Sequence, residues 1–269
     1  MKPIITALLL LIAGGSTAQE LYVYTDPASN LPAKSLGFRL TNNFMQVNNS
    51  DRYRFVTAPE LMLGISKTVM VKAEAAFSNM SGNMKLNGGS LYAKYRFHSS
   101  DEVHSHFRMA AYLRGSLSNL HIHQPAIDLL LMNSGTETGI VATKLNKRVA
   151  LSASVAHLYA ADNTNGNKFS FGDKSRHAAG YTVSVGRLML PGEYTSYDQT
   201  NVNLMLELLG QTNLHSGKTF ADLAPSVQFI IKSRMRVDAG YRFAIADDLY
   251  RTSKNGFLLR LEYNIFNAF

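Results

Sequence analysis

Apolar and polar residues alternate along the end of the chain. Every second position there is apolar: Phe257, Leu259, Leu261, Tyr263 and Ile265. The positions between them are mostly polar: Arg260, Glu262 and Asn264. A period of two predicts a β-strand with one apolar and one polar face.

The same period recurs in twelve segments that are bounded by turn residues. The predicted strands are 35–44, 53–66, 68–79, 89–99, 105–117, 134–145, 148–159, 178–188, 201–210, 223–232, 234–245 and 256–266. Many approach the ~9–11 residues that a tilted strand needs to cross a bilayer. Two even-numbered connections, at 99–104 and 190–200, are longer than the rest of the pattern favours, so ten or fourteen strands stay open.

The connections alternate in length. The second, sixth and tenth are very short, around Lys67, Asn146-Lys147 and Ser233, whereas the odd-numbered ones are longer and polar. Short turns at one end and longer loops at the other are typical of bacterial outer-membrane barrels. An even number of strands places both ends of the barrel domain on the short-turn side, which is the periplasmic side in such barrels.

The two ends of the chain fit the same interpretation. Residues 1–19 combine Lys2, an apolar run and a zone of small residues, which predicts a cleaved secretory signal peptide. Residues 20–34 predict an irregular periplasmic lead-in, either a tether or a short plug, with disorder favoured slightly. Residues 35–269 then form the barrel.

The alternating final strand and its terminal aromatic residue resemble the C-terminal signature of Gram-negative outer-membrane β-barrels. The residues that carry this resemblance are Leu261, Tyr263, Ile265 and Phe269. It implies a cell outer-membrane location, contact with outer-membrane lipid, and insertion by the barrel-insertion machinery through the last strand. With the strand pattern, it predicts an all-β fold: a transmembrane antiparallel up-and-down β-barrel of about twelve strands.

The polar faces of these strands predict the residues that line the lumen. They are Arg39, Glu60, Lys72, Glu74, Lys94, Arg96, Arg108, Arg114, Glu207, Arg236, Asp238, Arg242, Arg260 and Glu262. Cations outnumber carboxylates in this set. If some arginines stay unpaired beside water, they attract anions, as rings of Arg and Lys do in anion-selective pores. If all the charges pair across strands, the lumen is a closed, salt-bridged core.

Composition excludes other classes of protein. The chain has no Cys, which excludes a small disulfide-stapled scaffold. Its net charge is +8, but the basic residues are spread singly without a run of five, which argues against nucleic-acid binding.

The candidate chemistry is sparse, and we expect no catalytic residues, no metal and no cofactor. The closest approach to metal-ligand spacing is a set of histidines: His98, His104, His106, His121 and His123. Outer-membrane phospholipase A is also twelve-stranded and carries a Ser-His-Asn arrangement. The nearest match here is His157 followed by Asn163-Thr-Asn-Gly166, which has the wrong spacing and lacks the serine.

The segment from Ala58 to Glu74 resembles hairpins of uncharacterised barrels grouped with putative transporters of the phenol-degradation pathway. In these hairpins a strand that ends in Leu-Gly-Ile turns tightly into Val-x-Val, here Leu63-Gly-Ile65 and Val69-Met-Val71. The resemblance implies passage of small molecules.

The function expected from the sequence is a narrow channel or uptake protein for small solutes, anionic or aromatic ones among them. The loops at 118–133 and 160–177 are expected to gate it. The alternative is a closed barrel with an adhesin or envelope-structural role through its extracellular loops.

Overall fold

A computed structural model describes residues 22–48, 50, 52–80, 82–102, 105–192 and 198–269. The predicted signal peptide at 1–19 and His104 lie outside these residues. The described residues form twelve strands: β1 (Ser35–Val47), β2 (Tyr53–Gly64), β3 (Val69–Ser78), β4 (Lys85–Asp101), β5 (Ser105–Ser118), β6 (Gly135–Asn146), β7 (Val149–Ala160), β8 (His177–Leu190), β9 (Asn201–Asn213), β10 (Thr219–Ile231), β11 (Met235–Asp247) and β12 (Ser253–Ile265).

The strands form one closed barrel. Each strand pairs antiparallel with its neighbours in sequence, and β1 pairs with β12 to complete the ring. This confirms the predicted antiparallel up-and-down barrel and settles the strand number at twelve for the described residues. No helix in the described part of the chain has the length and apolar character needed to cross a membrane.

Several strands are longer than their sequence pattern predicts. The sequence pattern leaves loops at 211–222 and 246–255, and these predicted bounds are wrong. Only residues 214–218 connect β9 to β10, and only residues 248–252 connect β11 to β12. Polar residues near the strand ends, such as Gln211, remain in the ladder because they face the interior of the barrel. At the opposite end, which we call the short-turn end, residues 147–148 and 232–234 form tight connections.

The two faces of the wall differ sharply. On β11, Met235 and Tyr241 point outward and are exposed, whereas Arg236 and Asp238 point inward and are 4% and 0% exposed. Apolar side chains outside and charged side chains inside is the arrangement of a barrel that stands in lipid, and the reverse of a soluble barrel.

Residues 22–34 have no regular secondary structure, yet they lie inside the barrel. Tyr22, Val23 and Ala28 are buried to 1% exposure or less. The slight preference for disorder in this segment is therefore wrong for these residues. The sequence pattern missed their burial because the partners that bury them lie on strands distant in sequence.

Candidate functional site

The carboxylate of Glu207 holds the beginning of the segment 22–34, which we call the plug. Glu207 lies on the inner face of β9, and its Oε1 accepts hydrogen bonds from the backbone N–H groups of Val23 and Tyr24, both at 2.9 Å. Its Oε2 accepts a third, from the N–H of Thr25, at 2.9 Å. One buried side chain thus satisfies three successive backbone donors that have no strand partner.

Two lysines of the wall bind the middle of the plug. Nζ of Lys72 lies 2.5 Å from Oδ2 of Asp26. Nζ of Lys94 donates to the carbonyl oxygens of Pro27 and Ser29 at 2.7 and 2.8 Å. Because Lys94 is 1% exposed, its ammonium group depends on these plug carbonyls in place of water.

Further contacts bind the plug on the side of the short turns. The N–H of Ala28 donates to Oγ1 of Thr143 at 2.9 Å. Leu31 packs with Met62 and Met70 in an apolar cluster. The plug therefore contacts the wall around much of its circumference.

The loop at 119–134 folds into the lumen from the other end, and we call it the inner loop. The side-chain amide of Gln211 makes two hydrogen bonds with the backbone of Ile127, one accepted and one donated, both at 2.8 Å. Oε1 of Gln124 accepts hydrogen bonds from the N–H and Oγ1 of Thr252 at 2.9 and 3.0 Å. The inner loop is therefore joined to β9 and to the β11–β12 connection.

The neighbouring loop at 161–176 supports the inner loop from outside. Nδ2 of Asn163 donates to the carbonyl oxygens of Leu120 and Met132, both at 2.7 Å. Oδ1 of Asn163 accepts from the N–H of Ser134 at 2.6 Å. The two loops that we expect to gate the barrel thus form one connected layer.

Two carboxyls in this layer are perturbed in opposite directions. Hydrogen bonds from the Phe169 N–H and the Arg176 guanidinium hold the pKa of Asp162 below its ordinary value. Burial raises the pKa of Asp128 in the inner loop.

A cavity of about 400 Å³ lies between the plug and the inner loop. Residues 24–26 of the plug and residues 124 and 126–132 of the inner loop contribute to its lining. Its aromatic lining includes Tyr92, Tyr112 and Phe220, and the rings of the two tyrosines lie 5.6 Å apart. The volume lies within the ~300–1,000 Å³ that small-molecule sites occupy.

The charged side chains that line the cavity are mostly paired. Nε of Arg114 lies 3.2 Å from Oε2 of Glu137. Nε of Arg242 lies 3.3 Å from Oδ2 of Asp222, whose two oxygens also bind Arg251 at 2.6 and 2.7 Å. The cavity thus offers polar groups of both signs beside aromatic faces.

A second ion network crosses the point where the barrel closes. Arg39 on β1 contacts Glu60 on β2 at 3.0 Å and Glu262 on β12 at 2.8 Å. Arg236 on β11 contacts the same Glu262 at 3.1 Å and Asp238 at 3.2 Å. Buried charges of this kind depend on their partners for solvation.

The predicted lumen residues therefore fall into groups. Those that bind the plug are Lys72, Lys94, Arg108 and Glu207. Those of the closing network are Arg39, Glu60, Arg236, Asp238 and Glu262. Those that line the cavity are Glu74, Arg114, Arg242 and Arg260. Arg96 lies apart, at the short-turn end, where it donates to the carbonyl of Lys67.

The charged residues of the lumen that were not singled out from the sequence include Asp26, Glu137, Asp222 and Arg251. Glu137 occupies an inward position of β6, so strict alternation along that strand could have found it. Asp222 and Arg251 fall in segments that the pattern assigns to loops. Asp26 carries no local signal, because its position inside the barrel depends on Lys72, which is distant in sequence.

Comparison with known proteins shows which solved structures share this architecture. No family model and no curated protein sequence matches the chain. Among solved structures, the chain is similar to the COG4313 outer membrane channel from Pseudomonas putida F1, with a TM-score of 0.57, 13% identity, and coverage of 90% of this chain and 99% of that one. It is also similar to the NanC porin, with a TM-score of 0.53, 10% identity, and coverage of 85% and 98%.

The chain has the fold of an outer-membrane β-barrel. A third similarity, to the β domain of the Bordetella autotransporter BrkA, has a TM-score of 0.50 at 12% identity and covers 85% of this chain and 98% of that one. At such identities the similarity concerns the fold. The grouping with putative phenol-degradation transporters stays a prediction.

The histidines that the structure describes do not come together as a metal site. Within the described residues, no group of three or more His, Cys, Asp or Glu side chains has a metal-binding arrangement. His106 contacts Asp101 at 2.7 Å, and the rings of His121 and His123 lie 5.9 Å apart. 

The phospholipase-like residues are also separated. His157 is exposed on the outer face of β7 and contacts His177 at 3.1 Å. Asn163 is buried in the loop layer instead.

The four residues of the proposed insertion signal lie on the outside of the barrel. Leu261, Tyr263 and Ile265 alternate outward along β12, and Phe269, which follows the end of the strand, is 61% exposed. Recognition of these residues by insertion machinery stays a prediction.

Proposed function

We propose that this protein is an outer-membrane channel that takes up small solutes through the barrel lumen. The observation that carries the proposal is the cavity between the plug and the inner loop, because a solute that crosses the lumen meets it between two closures. The exposed apolar outer face and the polar interior support a membrane location. Two similar solved structures are themselves called a channel and a porin.

Small aromatic solutes with a polar group suit the cavity better than inorganic anions. Tyr92 and Tyr112 provide faces for a flat ring, and Arg114 and Glu137 provide polar partners beside them. Several lumen arginines are paired with carboxylates, whereas a strongly anion-selective pore needs cations that face water unpaired.

Block of the single-channel current by small alcohols tests this proposal. Protein purified from membranes of cells that express the full-length chain is placed in a planar bilayer, and single-channel current is recorded. We expect small, reversible current steps that benzyl alcohol reduces at lower concentration than cyclohexylmethanol, its non-aromatic analogue. The substitution Tyr92→Leu should remove this difference.

Equal block by the two alcohols would contradict the aromatic preference and leave the channel in place. A barrel that inserts and stays silent under all conditions would contradict the channel itself.

A further inference from the structure

The geometry points to a binding site for an anionic phospholipid on the outside of the barrel. The site is the basic patch, formed by Lys144, Lys147, Arg148 and Arg187 at the short-turn end of β6, β7 and β8. The inference rests on the proposed membrane location of the barrel, and it adds a specific lipid partner.

Strand register brings these four cations together. Lys147 and Arg148 form the β6–β7 turn. Val149, the next residue, lies directly opposite Arg187 on β8. Lys144 lies on β6, two residues before the end of the strand. The four residues thus occupy a small area across three adjacent strands.

Alternation directs two of the cations outward. Thr143 on β6 and Gly186 on β8 face the interior and are buried, so the neighbouring Lys144 and Arg187 face out and are exposed. The side chains therefore stand on the surface that faces lipid, and not in the lumen.

The four cations of the basic patch lack a counter-charge among the described residues. Within the described residues, none of its four side chains forms an ion pair, whereas lumen cations such as Arg39 and Lys72 do. A cluster of like charges is unfavourable until an anion reduces the repulsion. The patch is thus complementary to a negative group such as the phosphate of a lipid.

The surface above the patch is apolar. Outward side chains on the same three strands continue from the cations toward the long-loop end. They are Ile140, Val149, Leu151, Val155, Val183 and Val185, and all are exposed. Cations at the rim and an apolar surface directly beside them match a phosphate headgroup with its acyl chains. A free phosphate ion would use the cations alone.

Lipid retention by the purified barrel tests the inference. The full-length chain is expressed, extracted in mild detergent and equilibrated with mixed micelles of phosphatidylglycerol and phosphatidylcholine, and retained lipid is counted by native mass spectrometry. We expect preferential retention of phosphatidylglycerol. The variant Lys144→Gln/Arg148→Gln/Arg187→Gln should lower that preference by at least about tenfold, since each cation near a membrane surface contributes about 1 kcal/mol.

A matched control removes the same charge from the long-loop end. The variant Lys168→Gln/Lys174→Gln/Lys218→Gln should keep the wild-type lipid preference. An equal loss in both triple variants, or no loss in the patch variant, would overturn the inference. So would displacement of the lipid by inorganic phosphate, because it would indicate a simple anion site.

The result is separable from the channel proposal. A barrel that retains phosphatidylglycerol but conducts no current supports the basic patch and contradicts the channel. A barrel that conducts and shows no lipid preference does the reverse.

Discussion

At the scale of single residues, Glu207 and Lys94 show how an irregular segment is stabilised inside a barrel. The plug has backbone donors and acceptors that no strand satisfies, and in an interior they need partners. Glu207 supplies the acceptor atoms for three N–H groups, and Lys94 supplies donors for two carbonyls. Their charges strengthen hydrogen bonds that neutral groups would make more weakly.

Replacing Glu207 with Gln should loosen the plug. One of the two oxygens becomes an NH₂ group, which faces backbone donors and cannot accept from them. We expect a loss of about 1–3 kcal/mol in plug binding and faster amide hydrogen exchange at residues 23–25. Mass-spectrometric exchange on the barrel in detergent measures this.

The control is Glu137→Gln, a lumen carboxylate that contacts Arg114 and Tyr112. Unchanged protection at residues 23–25 in the Glu207 variant, or equal loss in the control, would show that Glu207 does not hold the plug.

Sequence identifies these residues but not their partners. Strict alternation along β4 and β9 places Lys94 and Glu207 on the inner face of the barrel. That they bind the plug depends on where residues 22–34 lie, and no periodicity specifies a segment without regular structure. The same reason explains why Asp26, which completes part of the charge balance of the lumen, was missed.

At the scale of elements, two segments occupy the lumen in series. The plug lies in the lumen on the side of the short turns, and the inner loop lies in it on the other side. The strands were predictable because one face must suit lipid and the other the lumen, which enforces a period of two. The inward fold of the inner loop was not predictable, because it depends on Gln211 and Thr252, which are distant in sequence.

Closures in series make the effects of two deletions depend on each other. Deleting residues 22–33 or replacing residues 121–132 with a short Gly-Ser linker should each raise single-channel conductance only slightly, because the other closure still limits current. Removing both should raise it by more than the sum of the single effects. Planar-bilayer recordings of the four proteins check this.

A single deletion that gives the full increase would show that one closure alone limits current. Normal heat-modifiable migration on gels serves as the folding control for every variant.

At the scale of the whole molecule, the ring is completed where β1 meets β12, and buried charges cross that junction. Arg39 contacts one carboxylate on each side of its own strand, Glu60 and Glu262. Breaking a buried pair on one side leaves an uncompensated charge, which costs about 3–5 kcal/mol.

The substitution Arg39→Met should therefore destabilise the whole barrel by about 3–5 kcal/mol. Adding Glu60→Gln should recover part of the loss, because without Arg39 the Glu60 carboxylate keeps only a 3.7 Å contact with Lys72, whereas Glu262 keeps Arg236. Urea unfolding of the barrel in lipid vesicles, followed by tyrosine fluorescence, gives both values. A double variant less stable than Arg39→Met alone would argue against this account.

The position of the plug constrains the timing of assembly. Its partners include residues of β3, β4, β5, β6 and β9, yet the plug directly precedes β1, a strand that closes the ring. Until these strands form one wall, Lys94 and Glu207 have no common surface on which to position residues 23–29. We therefore expect the plug to dock late, and a protease that cuts exposed backbone at these residues would distinguish unfinished barrels from completed ones.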